Sequence, residues 1–272
     1  MDPAAGAALS MQQSPHTKFT RDAMAAFPYR QLISSPMYLM VATLPDLAFS
    51  LSKLSNFNNS LGRAHWEAAC KVLGYLRQTA AVGLLYTREA PSHVQGVCDA
   101  AFACHIDDRR SQGGYVFMMG GAAISWKSYT ISTVARSTPE SEYVAASDAG
   151  AEAIFLRNFL GELGFPQPGA TTIFTDSTGA QAIVSNPCNR ARTKHIDIHY
   201  HYARQHVAAG RLDYQRVKSS ENSSDVLTKP LPRAAHSYCA FMMGLDVEAS
   251  RAFDLTALPR GSRSRRRGSL PP

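Results

Sequence analysis

The spacing of apolar positions changes twice along this chain, and the changes divide it. Over residues 1–30 apolar side chains are scattered among Ala, Ser, Gln and Pro without a period, which predicts little fixed structure. From Pro36 to about Ser55 they recur at helical spacing through Met37, Met40, Val41, Leu44, Leu47, Phe49, Leu51 and Leu54, with Pro45 interrupting. Proline cannot continue the hydrogen-bond ladder, so two helices or one kinked helix are expected. After the turn-like NFNNSLG, residues 63–80 place Trp66, Ala69, Val72, Leu73 and Leu76 on one stripe of an amphipathic helix, and Val82–Thr87 reads as a strand.

Past Ala90–Ser92 the period shortens. GVCDAAF, GYVFMMGG and AAISWKS are three β-type runs separated by polar or glycine-bearing turns. A long helix is predicted over STPESEYVAASDAGAEAIFLRNFLGELG, with Ser137 or Thr138 as the cap, Glu140 completing a capping box with Ser137, Pro139 in the first turn, and Gly164 then Pro166 ending it. TTIFTD then reads as a strand, STGAQAIVSN and IDIHYHYARQHVAAG as helices, RLDYQRVKS as a strand, and SSDVLTK as the opening of a last short helix. The predicted order from residue 93 is β-β-β-α-β-α-α-β-α.

Composition excludes some classes and leaves others open. With 272 residues, 45% hydrophobic and 18% charged, the bulk of the chain is globular rather than disordered or repetitive. The net charge of +7 suggests a nucleic-acid partner until it is located: six arginines from Arg251 onward, against Asp254 alone, account for most of it. A nucleic-acid function must therefore rest on local constellations. Five cysteines without a CxxC pair fit a reducing compartment. No signal-peptide core precedes the chain's apolar runs, and the longest run, Met37–Ala42, is far short of the ~20 residues of a membrane span, so a soluble intracellular protein is expected.

The acids fall at the ends of the predicted elements: Asp99 at the end of the first strand, Glu142 in the first turn of the long helix, Asp176 at the end of the fourth strand, Asp225 in the first turn of the last helix. Side chains at such termini can converge over one edge of a sheet. Carboxylates drawn together repel unless cations neutralise them, and hard divalent ions with oxygen ligands answer that need. Two ions ~3.5–4 Å apart can stabilise both the attacking and the leaving oxygen of phosphodiester cleavage. Acids in a helix's first turn also serve the helix dipole and nothing more, so neither Glu142 nor Asp225 is decisive alone.

The segments around these acids resemble a known family. GVCDAAFACHIDDRRSQGGYVFMMGGAAISWKS, STPESEYVAASDAGAEAIFLRNFLGELG, TDSTGAQAIVSNP, RTKHIDIHYHYAR and SSDVLTKPLP are similar to the ribonuclease H domain that ends the Pol polyprotein of copia-type LTR retrotransposons. YRQLISSPMYLMVATLPDLAFSLSKLSNF and HWEAACKVLGYLRQTAAVGLLY resemble the end of the preceding reverse transcriptase. The resemblance implies an α/β fold: a ribonuclease H-like five-stranded mixed sheet over 93–245, its first three strands antiparallel, flanked by helices. A mainly helical reverse-transcriptase remnant over 31–90 would precede it, with a disordered start over 1–30 and a basic disordered tail over 246–272.

It further implies hydrolysis of the RNA strand of RNA:DNA hybrids with two Mg²⁺ ions, Mn²⁺ being a substitute, and no small-molecule cofactor. Asp99 would bridge the ions, Glu142 and Asp176 would help position water, and Asp225 would complete one ion site. The chain departs from the family pattern at Ala101 and His105, where acids outside the ligand set are usual, at Gly179 in a helix start, at Pro36, and in having no histidine over Lys218–Ser224.

No YxDD motif of a polymerase palm occurs, so polymerase activity is not expected, and the adjacent acids Asp107 and Asp108 are read as pairing internally with Arg109 and Arg110. His195 and His199 stand four apart, with Asp197 and His201 beside them, but the Glu of a zinc HExxH motif is missing. Arg190, Arg192 and Lys194 before a helix are the candidates for phosphate contact. Trp66 and Trp126 are read as core. A catalytically silent or nucleic-acid-binding fragment is the main rival. An integrase-type strand transferase is disfavoured because its glutamate comes last in the acid order, whereas Glu142 comes second.

Overall fold

Two adjacent glycines set the tightest turn between neighbouring strands of the sheet. Gly120 and Gly121 both have positive φ, at 66° and 88°, as the tight hairpin turn that matches strand twist requires. The computed structural model describes residues 9–178 and 197–246, with backbone alone for 197–201. The glycine pair joins β3 (Gln112–Met119) to β4 (Ala122–Thr130), and β3 also pairs antiparallel with β2 (Gln95–Ala101). On its other side β2 pairs parallel with β5 (Thr171–Thr175), which pairs parallel with β6 (Leu212–Arg216). The sheet order is therefore β4-β3-β2-β5-β6, mixed and five-stranded. This is the ribonuclease H-like arrangement expected, preceded by a helical region.

Parallel neighbours need a crossover. From the β4 end of the sheet back to β5 it is made by the 25-residue helix α5 (Thr138–Glu162). Tyr143, Val144, Ala146, Ala149 and Ala153 of this helix pack with Cys98, Phe117, Ile173 and Leu212 of the sheet. The close fit depends on Gly150. A Cβ there would lie 2.6 Å from the Tyr214 hydroxyl, which donates a 2.7 Å hydrogen bond to the Ala146 carbonyl. The expected capping box is not formed. Ser137 is the N-cap without a side-chain cap bond, while the Glu140 carboxylate accepts from the Arg136 N–H.

The N-terminal helices meet the opposite face of the sheet through Ala48, with Met40 packed beside it. These are α1 (Lys18–Ala25), α2 (Tyr29–Ala42), α3 (Ala48–Ser55) and α4 (Arg63–Gln78), with a short 3₁₀ turn over Pro45–Leu47 between α2 and α3. Pro45 does separate two helices, but α2 begins at Tyr29 and holds a buried Pro36 inside it. The region before it also differs from expectation. A 3₁₀ turn over Met11–Gln13 and α1 occupy part of the stretch predicted to lack structure. Apolar periodicity could not show them, because neither has a buried residue. Reciprocal caps hold them instead, Ser10 with Gln13 and Thr17 with Thr20, and the His65 ring meets the Ser10 carbonyl at 3.1 Å.

The expected boundary near residue 90 is crossed by several contacts. Ala48 packs with Val97, Val116 and Ala123 of the sheet, and the Trp126 indole N–H donates to the Met40 carbonyl. The expected strand near Val82 is a short β1 (Gly83–Leu84), paired antiparallel with β7 (Leu245–Asp246). Before β7 come a 3₁₀ helix over Ser223–Leu227, where a short helix was expected at SSDVLTK, and α7 (Arg233–Met242), which begins behind Pro232. The remaining helix, α6, spans Asp197–Ala208. The helix predicted over STGAQAIVSN lies outside the described residues from Gly179 on. Among the described residues no helix is long and apolar enough to cross a membrane.

Helix propensity alone would make Gly150→Ala stabilising by about 1 kcal/mol, whereas overpacking against Tyr214 costs about 1–3 kcal/mol. The urea midpoint of Gly150→Ala is therefore expected to fall, and the double variant with Tyr214→Phe to recover part of the loss. A raised midpoint in the single variant would contradict the packing described.

Candidate active site

The site is built where β2 and β5 end side by side. Because these two strands run parallel, their carboxyl ends share one edge, where side chains are free to converge. Asp99 lies near the end of β2, opposite Gly114 of β3, and Asp176 follows the last residue of β5. A Cβ at position 114 would lie 2.7 Å from Leu227 Cβ and 2.9 Å from Thr228 Cγ2. Glycine at this position lets the Ser223–Leu227 segment settle on the sheet and brings Asp225 and Thr228 to Asp99. Glu142 comes from α5, which starts at Thr138, so it stands in the second turn and not the first.

Asp99, Glu142 and Asp176 each offer a carboxylate oxygen, and the three atoms lie within 4.8 Å of one another. Asp99 is 3% exposed and Glu142 8%. Burial pushes both carboxyls well above the ordinary range. The Asp99 and Asp176 charges push Glu142 further, while Lys229 and then the Thr228 hydrogen bond pull Asp99 part of the way back. Glu142 Oε2 is buried and has no hydrogen-bond partner among the described residues. A buried unpartnered carboxylate oxygen beside two further carboxylates is the donor set of a hard divalent cation, and the residues fit such an ion.

Asp225 joins this group differently. It lies outside the three-atom cluster, and its Oδ1 is 2.8 Å from Lys229 Nζ, which is also 3.9 Å from Asp99 Oδ2. Burial raises the Asp225 carboxyl, and Lys229 opposes that rise. The Thr228 hydroxyl donates to Asp99 Oδ2. Thr228 and Lys229 were not singled out from the sequence. The one available signal was a lysine four residues after an acid, the spacing of a helical ion pair.

The other candidates fall as follows. Arg190, Arg192, Lys194 and His195 lie outside the described residues, as do the side chains of Asp197, His199 and His201. Arg110 pairs with Asp108 at 3.4 Å, the internal pairing expected, while Asp107 accepts from the Met11 N–H. Trp66 is half-buried and stacks at a tilt on Phe27. Cys70, Cys98, Cys104 and Cys239 are free thiols.

No family model matches the chain. It is 39% identical over 237 residues, 87% of its length, to the Retrovirus-related Pol polyprotein from transposon TNT 1-94 of Nicotiana tabacum. It is also 33% identical, over 76% of its length, to that from transposon RE2 of Arabidopsis thaliana. The chain belongs to the copia-type LTR-retrotransposon Pol family. Within that family it spans a minor part, 18% and 14% of the length of these two relatives. Half of the chain, 49%, is also 41% identical to 94% of the Secreted RxLR effector protein 161 of Plasmopara viticola. Solved ribonuclease H structures are 12–19% identical over 50–55% of the chain, with TM-scores of 0.36–0.38. At that level the fold assignment of this Pol segment rests on its strand order.

The raised carboxyls fix the sign of a pH dependence. Without cations, the folded state keeps protons that the unfolded chain has released, so stability falls as pH rises from the ordinary carboxylate range toward the raised values. Glu142→Gln removes that cost, so the cation-free variant is expected to melt above the parent at about pH 8, by about 2–4 °C per kcal/mol. Mn²⁺ is expected to raise the parent's Tm more at about pH 8 than at about pH 6, since a cation binds ionised carboxylates. The variant should lose most of this gain. A variant that keeps the full gain would contradict the assignment of Glu142 to the cation site.

Proposed function

We propose that this Pol segment is a metal-dependent endonuclease that hydrolyses the RNA strand of RNA:DNA hybrids. The observation that carries the proposal is the convergence of Asp99, Glu142 and Asp176 within 4.8 Å at the edge of a ribonuclease H-like sheet. Asp99, Glu142, Asp176 and Asp225 would hold a pair of magnesium ions, with Asp99 shared between them. Bound Mg²⁺, or Mn²⁺ in its place, would supply charge stabilisation at the scissile phosphate.

The chain's own residues perform the rest. Glu142 and Asp176 orient the attacking water beside the scissile phosphate. The Thr228 hydroxyl fixes the Asp99 carboxylate in place. Arg190, Arg192 and Lys194 contact backbone phosphates. Recognition rests on the geometry of the hybrid and its 2′-hydroxyls, so sequence preference is low.

The test is cleavage of an end-labelled RNA:DNA duplex by the full chain in Mg²⁺. Asp99→Asn and Asp176→Asn are each expected to lower the rate at least about a hundredfold, the equivalent of about 3 kcal/mol of transition-state stabilisation. Asp225→Asn should lower it less. Cleavage that survives both of the first two substitutions would place the activity elsewhere. Tight binding of the hybrid without cleavage by the parent chain would overturn the nuclease reading in favour of a binding module.

A further inference from the structure

We propose that the Lys229 ammonium is a built-in counter-cation that holds the place of one divalent ion between Asp99 and Asp225 and must leave before that ion binds. The proposal rests on the metal-dependent reading of the site and adds its regulation by a residue of the chain itself.

The four acids are divided unequally. Three of them form a cage with one buried oxygen that has no partner among the described residues, while the fourth is held by Lys229. Asp99 belongs to both groups, with its Oδ2 3.9 Å from the ammonium. A cation already sits where the second ion would have to draw Asp99 and Asp225 together. The balance of charge agrees. One divalent ion and Lys229 leave a single negative charge among the four carboxylates, whereas two divalent ions balance them without the lysine. Lys229 and a second ion at one pair of carboxylates would repel each other.

The lysine has somewhere to go. Its side chain is 41% exposed, against 4% for Asp99 and 15% for Asp225. It also lines a cavity of about 410 Å³, together with Lys53, Asp107 and Asp108. An ammonium on a flexible four-carbon stem can swing into that space, where a guanidinium fork would move less readily.

Binding of Mn²⁺ to the full chain, followed by calorimetry and by the electron-spin resonance signal of the free ion, reads this without any cleavage. The parent is expected to take up one ion and then a second more weakly. A partly exposed ion pair is worth up to about a fivefold factor in an equilibrium. Lys229→Met should therefore tighten the second step by about that factor, leave the first nearly unchanged, and be matched by Lys229→Gln should the methionine variant fail to fold. Lys229→Arg should weaken the second step, because the guanidinium leaves the two carboxylates less readily. A second step that is unchanged or weakened in both neutral variants overturns the proposal, as does failure of parent and variants alike to bind Mn²⁺. If the predicted binding pattern holds but no hybrid is cut, the nuclease reading fails and this one stands. If the parent cuts hybrid while the second step ignores Lys229, this one fails alone.

Discussion

Repulsion among carboxylates that the scaffold does not let apart is the constraint on which the rest of this structure depends. Asp99 is fixed in a central strand, Asp176 at the end of its parallel neighbour, and Glu142 on a helix sealed against the same sheet. Asp99 and Glu142 are buried within packed elements, so neither can turn outward freely. Solvent could screen the charges at a surface, but burial withholds that screening and leaves the field to be answered by protons, by Lys229 or by metal. The same stiffness that makes the site costly is what holds its ligands ready for a cation.

That stiffness comes from covering both faces of the sheet. On one side α5 is drawn in close by its small residues, with Gly150 admitting Tyr214. On the other, α3, the Ser223–Leu227 turn and α7 share a core with β2, β3 and β4. The helical segment is thus part of what keeps Asp99 in position. Asp46, 2% exposed, binds the Tyr75 hydroxyl and lies 3.8 Å from His236, which links the early helices to the end of the fold. A polar knot of this kind specifies one arrangement of helices over others that would bury similar apolar area.

Much of the fold was legible because its elements announce themselves by period. The three antiparallel strands read as short β-type runs between turns, α5 has a clear start and stop, and the glycine pair Gly120–Gly121 marks a hairpin. The candidate acids were legible as element termini, and Glu142 was misplaced only by a turn. What escaped has physical reasons. The early turns near Ser10 and Thr17 rest on local caps and a contact with His65, which no hydrophobic pattern records. The helix α7 hides behind two prolines, Pro230 and Pro232. Lys229 looks like any surface lysine until the fold places its ammonium beside two acids from distant segments.

The antiparallel ribbon of Gly83–Leu84 with Leu245–Asp246 has a consequence for the order of folding. Together with the contact between His236 and Asp46, 190 positions apart, it makes the core around the early helices non-local. Ala240 and Leu245 belong to that core. During synthesis the helices must wait, with apolar surface uncovered, until residues near 245 have left the ribosome, an interval in which a chaperone would find much to hold.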